Sequence, residues 1–584
     1  MNAMGGGWCK RSLVAAVAML LGGIWFTPTA AAQTPLSPTE TLSALREPLR
    51  VESGQKFFVG AKNVGSQSCK SCHKKQHGEW ADTWHAKMER LPSPESVIGD
   101  FNNRVIVYKD LKVKGKDGKE STISPSVMTS RKGDNFYFTL LDQDNAANNQ
   151  TYEIAKTLGG KWDQHYEIKI GDNYLPTPIR WSVAANDWLI TQYNPHEWFE
   201  ADGSADGRPK KMDELPLNRV AEVKCAGCHT TGFEFAKDKQ TGIWKATGNG
   251  ELGIACEKCH GPGSKHVEEA NAAKARGEAL KPGASTIVHP LKDLSALQQT
   301  QVCAQCHGRH ANKEIGELAF QQGFLPGDID MTSRARYWNY SSTANPEENK
   351  YFWPNDWAKR NRQQWQDFTK SKHSEKGISC LTCHTFHGKA ENAQLRLKPE
   401  ELCTSCHTIN GYAKRPNGEM FKDSPMQKAG VQCVDCHMPK IGYRSDQTAK
   451  GPHPWDVTSH TFMVPTPALE KNYGVRSACT ACHIEGKKLP SGAQAPAFDA
   501  NVLNALLIQR QKTTRGGIGE VQKVLAGING INAQKAETKA LVEQANAKLD
   551  FVLLDGSLGM HNADRAAALI TEARKLAEKA AKMK

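Results

Sequence analysis

The amino-acid sequence predicts a mainly α-helical and irregular core with a small inserted antiparallel β module and a C-terminal helical unit. Three observations support this fold class. Sixteen of the 17 cysteines fall in copies of one pentapeptide, Cys-x-x-Cys-His, and short stretches of chain separate most of these copies. Residues 100–195 contain runs that alternate apolar and polar side chains, which is typical of strands. From residue 499 onward, apolar residues recur at helical spacing.

The first 32 residues have the composition of a targeting segment. Lys10 and Arg11 give a positive start, residues 13–26 form an apolar run, and an Ala-x-Ala site precedes Gln33. This pattern predicts a Sec-type signal peptide at residues 1–32 and therefore a periplasmic or otherwise exported protein. A retained membrane anchor is the alternative, but the run is shorter than the roughly 20 residues that a bilayer needs. We expect no membrane span in the mature chain.

Eight copies of Cys-x-x-Cys-His are the most informative feature of this sequence. Each copy is the signature of covalent c-type haem attachment, in which the two cysteines form thioethers and the adjacent histidine becomes the proximal iron ligand. The predicted attachment cysteines are Cys69, Cys72, Cys225, Cys228, Cys256, Cys259, Cys303, Cys306, Cys380, Cys383, Cys403, Cys406, Cys433, Cys436, Cys479 and Cys482. The predicted proximal ligands are His73, His229, His260, His307, His384, His407, His437 and His483. We therefore expect eight covalently bound c-type haems.

Two other uses of paired cysteines compete with haem attachment. An exported chain rich in cysteine could form a disulfide framework, and Cys-x-x-Cys pairs could bind zinc. Neither use explains why a histidine follows every second cysteine. With 20 histidines in 584 residues, eight such coincidences have a probability of about 10⁻¹². The haem propionates also offset much of the formal charge of +13, so a nucleic-acid partner has no support.

Histidines outside the motifs are candidate ligands for the opposite, distal face of each haem. A histidine a few residues beyond its own motif cannot reach the far face of that haem, so it must serve a neighbouring haem. The principal candidates are His85, which we place on a helix, His266, His373, His387, His460 and His561; further candidates are His310, His453 and His196. We do not expect His77, His165 or His289 to bind iron, since His165 shares the polar face of a strand with Glu167 and Lys169.

The principal candidates are fewer than the haems, so we expect one haem to lack a distal histidine. The haem of His407 is the one we expect to be open, because residues 408–432 contain no histidine, only Met420, Met426 and several lysines. A six-coordinate haem only passes electrons, whereas an open position can bind a small substrate. No catalytic residue can be assigned from the sequence.

The spacing of the motifs divides the chain into five segments. We expect a signal peptide at 1–32, a segment with the first haem at 33–99, the β module at 100–195, a seven-haem core at 196–490 and the helical unit at 491–584. Within the β module, strands are expected at residues 104–108, 135–139, 152–155, 165–170 and 179–183. Asn562 and the two residues after it are expected to cap the last helix, and the helical unit then returns His561 to the haem core.

The motifs resemble those of the exported multihaem c-type cytochromes, a group that includes hydroxylamine oxidoreductase, its tetrahaem partner cytochrome and ammonia-forming nitrite reductase. The run from Cys256 to His266 is similar to a haem-plus-distal-histidine element of the tetrahaem cytochrome. Residues 371–387 are similar to paired elements across the group, and residues 559–562 to the C-terminal helical segment of the nitrite reductases. The resemblance implies an octahaem member, although every motif here ends in histidine, unlike the Cys-x-x-Cys-Lys motif of the catalytic haem in those nitrite reductases.

These observations favour an exported respiratory cytochrome that relays electrons. Its expected partners are a quinol-oxidising or cytochrome donor and a periplasmic or outer-membrane acceptor. The alternative is an octahaem reductase of a small nitrogen or sulfur oxyanion, of the nitrite, hydroxylamine or tetrathionate class, at one open haem. A third reading is a structural subunit of an outer-membrane electron conduit. The first two differ in whether any iron lacks a strong sixth ligand.

Overall fold

A computed structural model describes residues 50–115, 118–190, 195–280, 285–312, 318–329, 337–339, 351–387, 392–443, 455–529 and 531–583. The predicted signal peptide, His453 and the side chain of His310 lie outside the described residues. All the described ranges belong to one compact unit, residues 35–584. Among these ranges, no helix combines the length and the apolar composition of a membrane span.

The β module is larger than the sequence predicts. Its main sheet has eight antiparallel strands, in the order β10-β9-β8-β7-β6-β5-β2, with β1 also paired to β7. The strands of the module are β1 Glu89–Arg90, β2 Val105–Val107, β3 Leu111–Lys114, β4 Glu120–Ile123, β5 Ser126–Lys132, β6 Asn135–Leu141, β7 Gln150–Gly159, β8 Asp163–Ile170, β9 Asn173–Ser182 and β10 Asp187–Ile190. The prediction that the β module is small is therefore wrong. The sequence predicts only the last part of β9, at residues 179–183, because the strand is buried along nearly its whole length and its first part lacks the alternation that marks a half-buried strand.

The sheet builds a hydrophobic core of its own. The fully buried side chains include Tyr108, Phe138, Leu140, Ile168 and Phe199. Tyr108 also donates a hydrogen bond from its hydroxyl to the carbonyl of Pro178 at 2.6 Å. The module is thus a rigid support rather than a loop excursion, and it can hold side chains firmly against the neighbouring motif.

The haem-motif part of the chain consists of short helices, small two-stranded sheets and loops. Its helices are α1 Gly54–Phe57, α2 Ser66–Lys70, α3 Lys74–Ala81, α4 Ala221–Lys224, α5 Ala226–His229, α6 Cys256–His260, α7 Ser264–Ala275, α8 Pro290–Asp293, α9 Ala296–His307, α10 Gln364–Phe368, α11 Lys372–Glu375, α12 Cys380–Cys383, α13 Pro399–Thr404, α14 Asn417–Phe421, α15 Pro425–Lys428, α16 Cys433–His437 and α17 Pro467–Tyr473. Its strands are β11 Phe199–Glu200, β12 Arg208–Pro209, β13 Thr230–Thr231, β14 Glu234–Lys237, β15 Trp244–Thr247, β16 Glu251–Leu252, β17 His310–Asn312, β18 Tyr337–Asn339, β19 Lys440–Gly442 and β20 Val457–Thr458. Most motifs begin or end on one of these helices, which places both cysteines and the histidine on a single turn.

The C-terminal unit consists of three long helices, as the sequence predicts. They are α18 Ala500–Ala526, α19 Ala536–Asp555 and α20 Ala563–Lys582. The side chain of Asn562 accepts a hydrogen bond from the backbone N–H of Arg565 and caps α20. Met420 is fully buried in the hydrophobic cluster of this unit, beside Val521 and Val552. The loop between α19 and α20 carries His561 back to the haem motifs.

Candidate haem sites

Paired histidine rings show where haem irons would fit. A metal–imidazole bond is about 2 Å long and the ring centroid lies about 1.2 Å behind the bonded nitrogen, so two axial imidazoles place their centroids about 6.3 Å apart. Five pairs of rings have this spacing: His73 and His266 at 6.4 Å, His85 and His307 at 6.1 Å, His260 and His387 at 6.0 Å, His373 and His407 at 5.8 Å, and His437 and His561 at 6.0 Å. Each pair joins one motif histidine to one histidine outside the motifs. The residues present therefore fit haem iron with two histidine ligands.

The pairs connect parts of the chain that are distant in sequence. His266 follows the third motif but lies opposite His73, and His387 follows the fifth motif but lies opposite His260. Both arrangements agree with the expectation that a histidine just beyond its own motif serves a neighbouring haem. His85 lies opposite His307 in a turn after α3 ends at Ala81, not on a helix as expected.

The expectation of an open haem at His407 disagrees with the structure. The ring of His373, on α11, lies 5.8 Å from the ring of His407. The partner therefore comes from upstream of the motif, whereas the sequence argument considered only the residues downstream. Met420 is not near an open position either, because it packs among the C-terminal helices.

Three motif histidines have no second imidazole at this spacing among the described side chains: His229, His384 and His483. Burial and then the charge of His384 lower the pKa of His460 to about 4, so His460 lies close to the fifth motif. The buried carboxylate of Asp367 holds the backbone of His460 there, accepting from its N–H at 3.3 Å. The ring of Phe498 stands 5.8 Å from His483.

Hydrogen bonds orient several of the motif histidines. The Nδ1 atoms of His260, His384, His437 and His483 lie 2.7–3.1 Å from backbone carbonyls of Val288, Ala393, Phe462 and Pro496 respectively. Since a carbonyl can only accept, each Nδ1 is the protonated nitrogen and Nε2 is left for iron. Burial is the largest cause that lowers the pKa of His85, His229, His260 and His373 to about 4. These rings are neutral at pH 7, as metal ligands must be.

The attachment cysteines of different motifs lie beside one another. None of the sixteen is in a disulfide. The thiols within hydrogen-bond contact are Cys69 with Cys256, Cys228 with Cys306, Cys303 with Cys380 and Cys403 with Cys433. Electrostatic neighbours are Cys259 with Cys303, Cys383 with Cys403, and Cys436 with Cys479. The motifs therefore form a continuous series in the order first, third, fourth, fifth, sixth, seventh and eighth, and the second motif branches from the fourth.

The β module borders the second motif. His165 on β8 is close enough that the charge of His229 acts on it; burial, then Arg180 and His229, lower the pKa of His165 to about 3. Burial and then the positive charge of Arg362 lower the pKa of His229, and that charge also favours lower pKa values for both cysteines of that motif. The backbone of Arg362 adopts φ 73°, a left-handed conformation that is costly outside glycine and concentrates at functional sites.

Two β-bulges direct charged side chains toward this border. The β7–β8 register shifts between Ile154 and Lys156, and the β8–β9 register shifts between His165 and Glu167. The sequence places Glu167 on a polar strand face, but the bulge buries it completely while Lys169 stays exposed. Burial first, and then the charge of Glu89, hold the pKa of Glu167 well above its usual range.

A buried ion pair lies beside Glu167. The Lys156 ammonium donates to Glu89 at 2.7 Å and stands 3.6 Å above the ring of Tyr174. Sequence reasoning missed the cluster of Lys156, Glu89 and Glu167, because the bulges and the sheet pairing that assemble it are long-range features. It also missed Arg362, which reaches the second motif from a distant part of the chain. The one available signal was the density of charged residues within otherwise apolar strands. Glu167 and Glu89 act on Cys225, so the second motif borders these charged side chains of the sheet.

Family comparisons agree with the motifs and the ring geometry. A family model described as cytochrome c552 matches residues 403–584, a doubled CXXCH motif model matches residues 373–410, and a model for cytochrome c554 and c-prime matches residues 193–261. The chain therefore resembles multihaem c-type cytochromes over residues 193–261 and 373–584.

Individual relatives are distant. The outer cell wall cytochrome OcwA has a similar fold, with a TM-score of 0.59 and 23% identity over 88% of this chain and 99% of that one. The dissimilatory sulfite reductase MccA of Wolinella succinogenes is 20% identical over 403 residues, which are 65% of this chain. The chain spans about half the length of that relative, 51%. The octaheme MccA structure aligns with a TM-score of 0.43 and 15% identity over 89% of this chain and 83% of that one.

Proposed function

We propose that this chain binds eight c-type haems and acts as an exported respiratory cytochrome that relays electrons between partner proteins. Each haem iron can accept and release one electron. The donor would be a quinol-oxidising or cytochrome protein, and the acceptor a periplasmic or outer-membrane protein. The observation that carries the proposal is the continuous series of attachment motifs, because a relay requires each haem to lie next to another.

The protein supplies the other requirements of a relay through its own residues. Five histidine pairs stand at the spacing of two iron ligands and would hold five of the irons from both sides, which would exclude small ligands and keep the coordination the same in both oxidation states. Short helices keep successive motifs in contact, as α13 and α16 do for the sixth and seventh motifs. The series has no gap between the first motif and the eighth.

A photoreduction experiment tests the relay. Thioether formation uses the sixteen motif thiols, so a Lys75→Cys variant offers a distinct exposed site for a photoreducing ruthenium label beside the first motif. A second substitution, His561→Met, would raise the potential of the seventh haem and make it an electron sink. We expect light to reduce that haem rapidly. Adding Cys403→Ser and Cys406→Ser, which remove the sixth haem, should slow this step by orders of magnitude; an unchanged rate would contradict the relay.

A second candidate function is favoured by the surroundings of the second motif. His229 has no second imidazole at ligand spacing among the described side chains, and Arg362 lies close to it in a strained conformation. An open haem position beside a guanidinium would suit a small oxyanion, since arginine binds such groups by charge-assisted hydrogen bonds. The chain would then reduce a small nitrogen or sulfur oxyanion at this haem, with the other haems supplying electrons.

Electron paramagnetic resonance of the ferric protein tests this second function. We expect a high-spin signal that shifts when nitrite or sulfite is added. The signal should vanish in a variant with Cys225→Ser and Cys228→Ser, which cannot attach the second haem. The matched variant carries Cys479→Ser and Cys482→Ser at the eighth motif, where a second ring is also missing among the described side chains. Retention of the signal in the first variant and its loss in the matched one would assign the open position to His483 instead.

A further inference from the structure

We propose that Asp555 lowers the reduction potential of the haem held by His437 and His561. We also propose that its hydrogen bonds connect a ligand of this haem to a ligand of the neighbouring haem at His407. The inference rests on the proposed attachment of haems at these two motifs. Asp555 would not touch either iron. It acts through hydrogen bonds to the imidazole ligands, so it is a positioning residue rather than a catalytic one.

The central contact is between Asp555 and the distal ligand of the seventh motif. Nδ1 of His561 lies 2.5 Å from Oδ1 of Asp555, while the ring of His561 faces His437 at 6.0 Å. A carboxylate that accepts the Nδ1 proton makes the imidazole a stronger electron donor through Nε2. A stronger donor stabilises the ferric form of a haem, and the potential therefore falls.

Asp555 also contacts the ligand shell of the sixth motif through one intermediate residue. Nδ1 of His407 donates to Oδ1 of Asn417 at 3.1 Å. The amide nitrogen of Asn417 then donates to the backbone carbonyl of Asp555 at 2.6 Å and to its Oδ1 at 3.2 Å. One carboxylate thus connects the proximal ligand of one haem to the distal ligand of the next.

Other ligand histidines have weaker acceptors. His266 lies 3.2 Å from the hydroxyl of Ser285, and His460 lies 3.2 Å from the carbonyl of Thr458. Four motif histidines, His260, His384, His437 and His483, donate to backbone carbonyls, and His407 donates to a side-chain amide. Within the described part of the chain, His561 is therefore the ligand histidine that meets a carboxylate.

The position of Asp555 is unfavourable for a charge unless the charge has a function or strong partners. The side chain has no exposed surface, and it is the last residue of α19, where the helix dipole disfavours an anion. Its remaining oxygen accepts from the backbone N–H of Ser557 at 3.2 Å and from the Ser557 hydroxyl. These two donors occupy the second oxygen of Asp555 and moderate how strongly the side chain accepts from the His561 ring.

The Asp555→Asn variant tests the inference, because asparagine has the same shape without the charge. Potentiometric titration followed by electron paramagnetic resonance tracks individual low-spin haems. We expect one haem to become easier to reduce by roughly tenfold in its reduced-to-oxidised ratio, which is about 59 mV for a one-electron couple. A high-spin signal in this variant would show that Asp555 only holds the ring in place, and would overturn the inference.

A second variant predicts a shift of opposite sign. Ser557→Ala removes a donor to Asp555, so the carboxylate should accept more strongly from His561 and the same haem should become harder to reduce. No shift, or a shift in the same direction as Asp555→Asn, would overturn the inference, and this holds even if Asp555→Asn fails to fold. The haem content of each variant is measured by the pyridine haemochrome assay. Loss of haem would count against the proposed attachment, whereas unchanged potentials with full haem content would count against the role of Asp555 alone.

Discussion

Replacing His373 by alanine is expected to convert one low-spin haem to a high-spin haem. The ring of His373 lies 5.8 Å from that of His407, at the spacing of two axial ligands. Its removal leaves one axial position of that iron without an imidazole, and the vacated space lies beside Phe462, whose ring is 4.2 Å from the ring of His373. The ferric protein should show a new high-spin signal, and added imidazole should restore the low-spin state by entering the space.

The matched control is His196→Ala. His196 is a further candidate from the sequence, but it lies exposed on a short turn of residues Pro195–Glu197. Its removal should leave the spectrum unchanged. An unchanged spectrum in His373→Ala as well would show that the rings of His373 and His407 do not hold an iron between them.

The sequence alone does not predict which distal histidine serves which haem. The attachment pentapeptide is contiguous, so its cysteines and proximal histidine are recognised from composition and spacing alone. The partner of a proximal ring comes from long-range folding, as with His85 and His307, which are more than two hundred residues apart. His373 likewise reaches His407 from the upstream side of its motif, which the sequence around His407 does not indicate. The residue type identifies the candidate ligands, but the fold decides which distal histidine faces which proximal histidine.

The β module shows a second limit. Alternation predicts strands such as β6 and β8 because one face of each is less buried than the other. It predicts only the last part of β9, at residues 179–183, because the strand is buried on both faces, and it does not predict the bulge that turns Glu167 inward. The position of Glu167 near Cys225 of the second motif depends on this bulge. A strand pattern therefore predicts that a sheet exists, whereas its register decides which side chains it delivers to a site.

The N-terminal haem segment depends on one buried carboxylate, and its removal should have the largest effect on stability. Glu257 lies inside the third motif, between Cys256 and Cys259, and its side chain is buried. Its two oxygens accept backbone N–H groups of Val64, Gly65 and Gly263 at 2.7–3.1 Å. Glu257→Ala would leave three backbone donors without their charged acceptor, which should cost about 3–5 kcal/mol.

Chemical unfolding and amide hydrogen exchange would measure this loss. The exchange protection of Val64 and Gly65 should fall first, since their N–H groups lose the acceptor directly. Glu52→Ala is the matched control from the same segment: Glu52 is exposed and pairs with Lys56 across one helical turn at 3.0 Å, so its loss should cost less than about 0.5 kcal/mol. Equal losses in the two variants would contradict the role of Glu257. A larger loss of stability in Glu257→Ala would mean that a residue between two attachment cysteines also holds the first haem segment against the third motif.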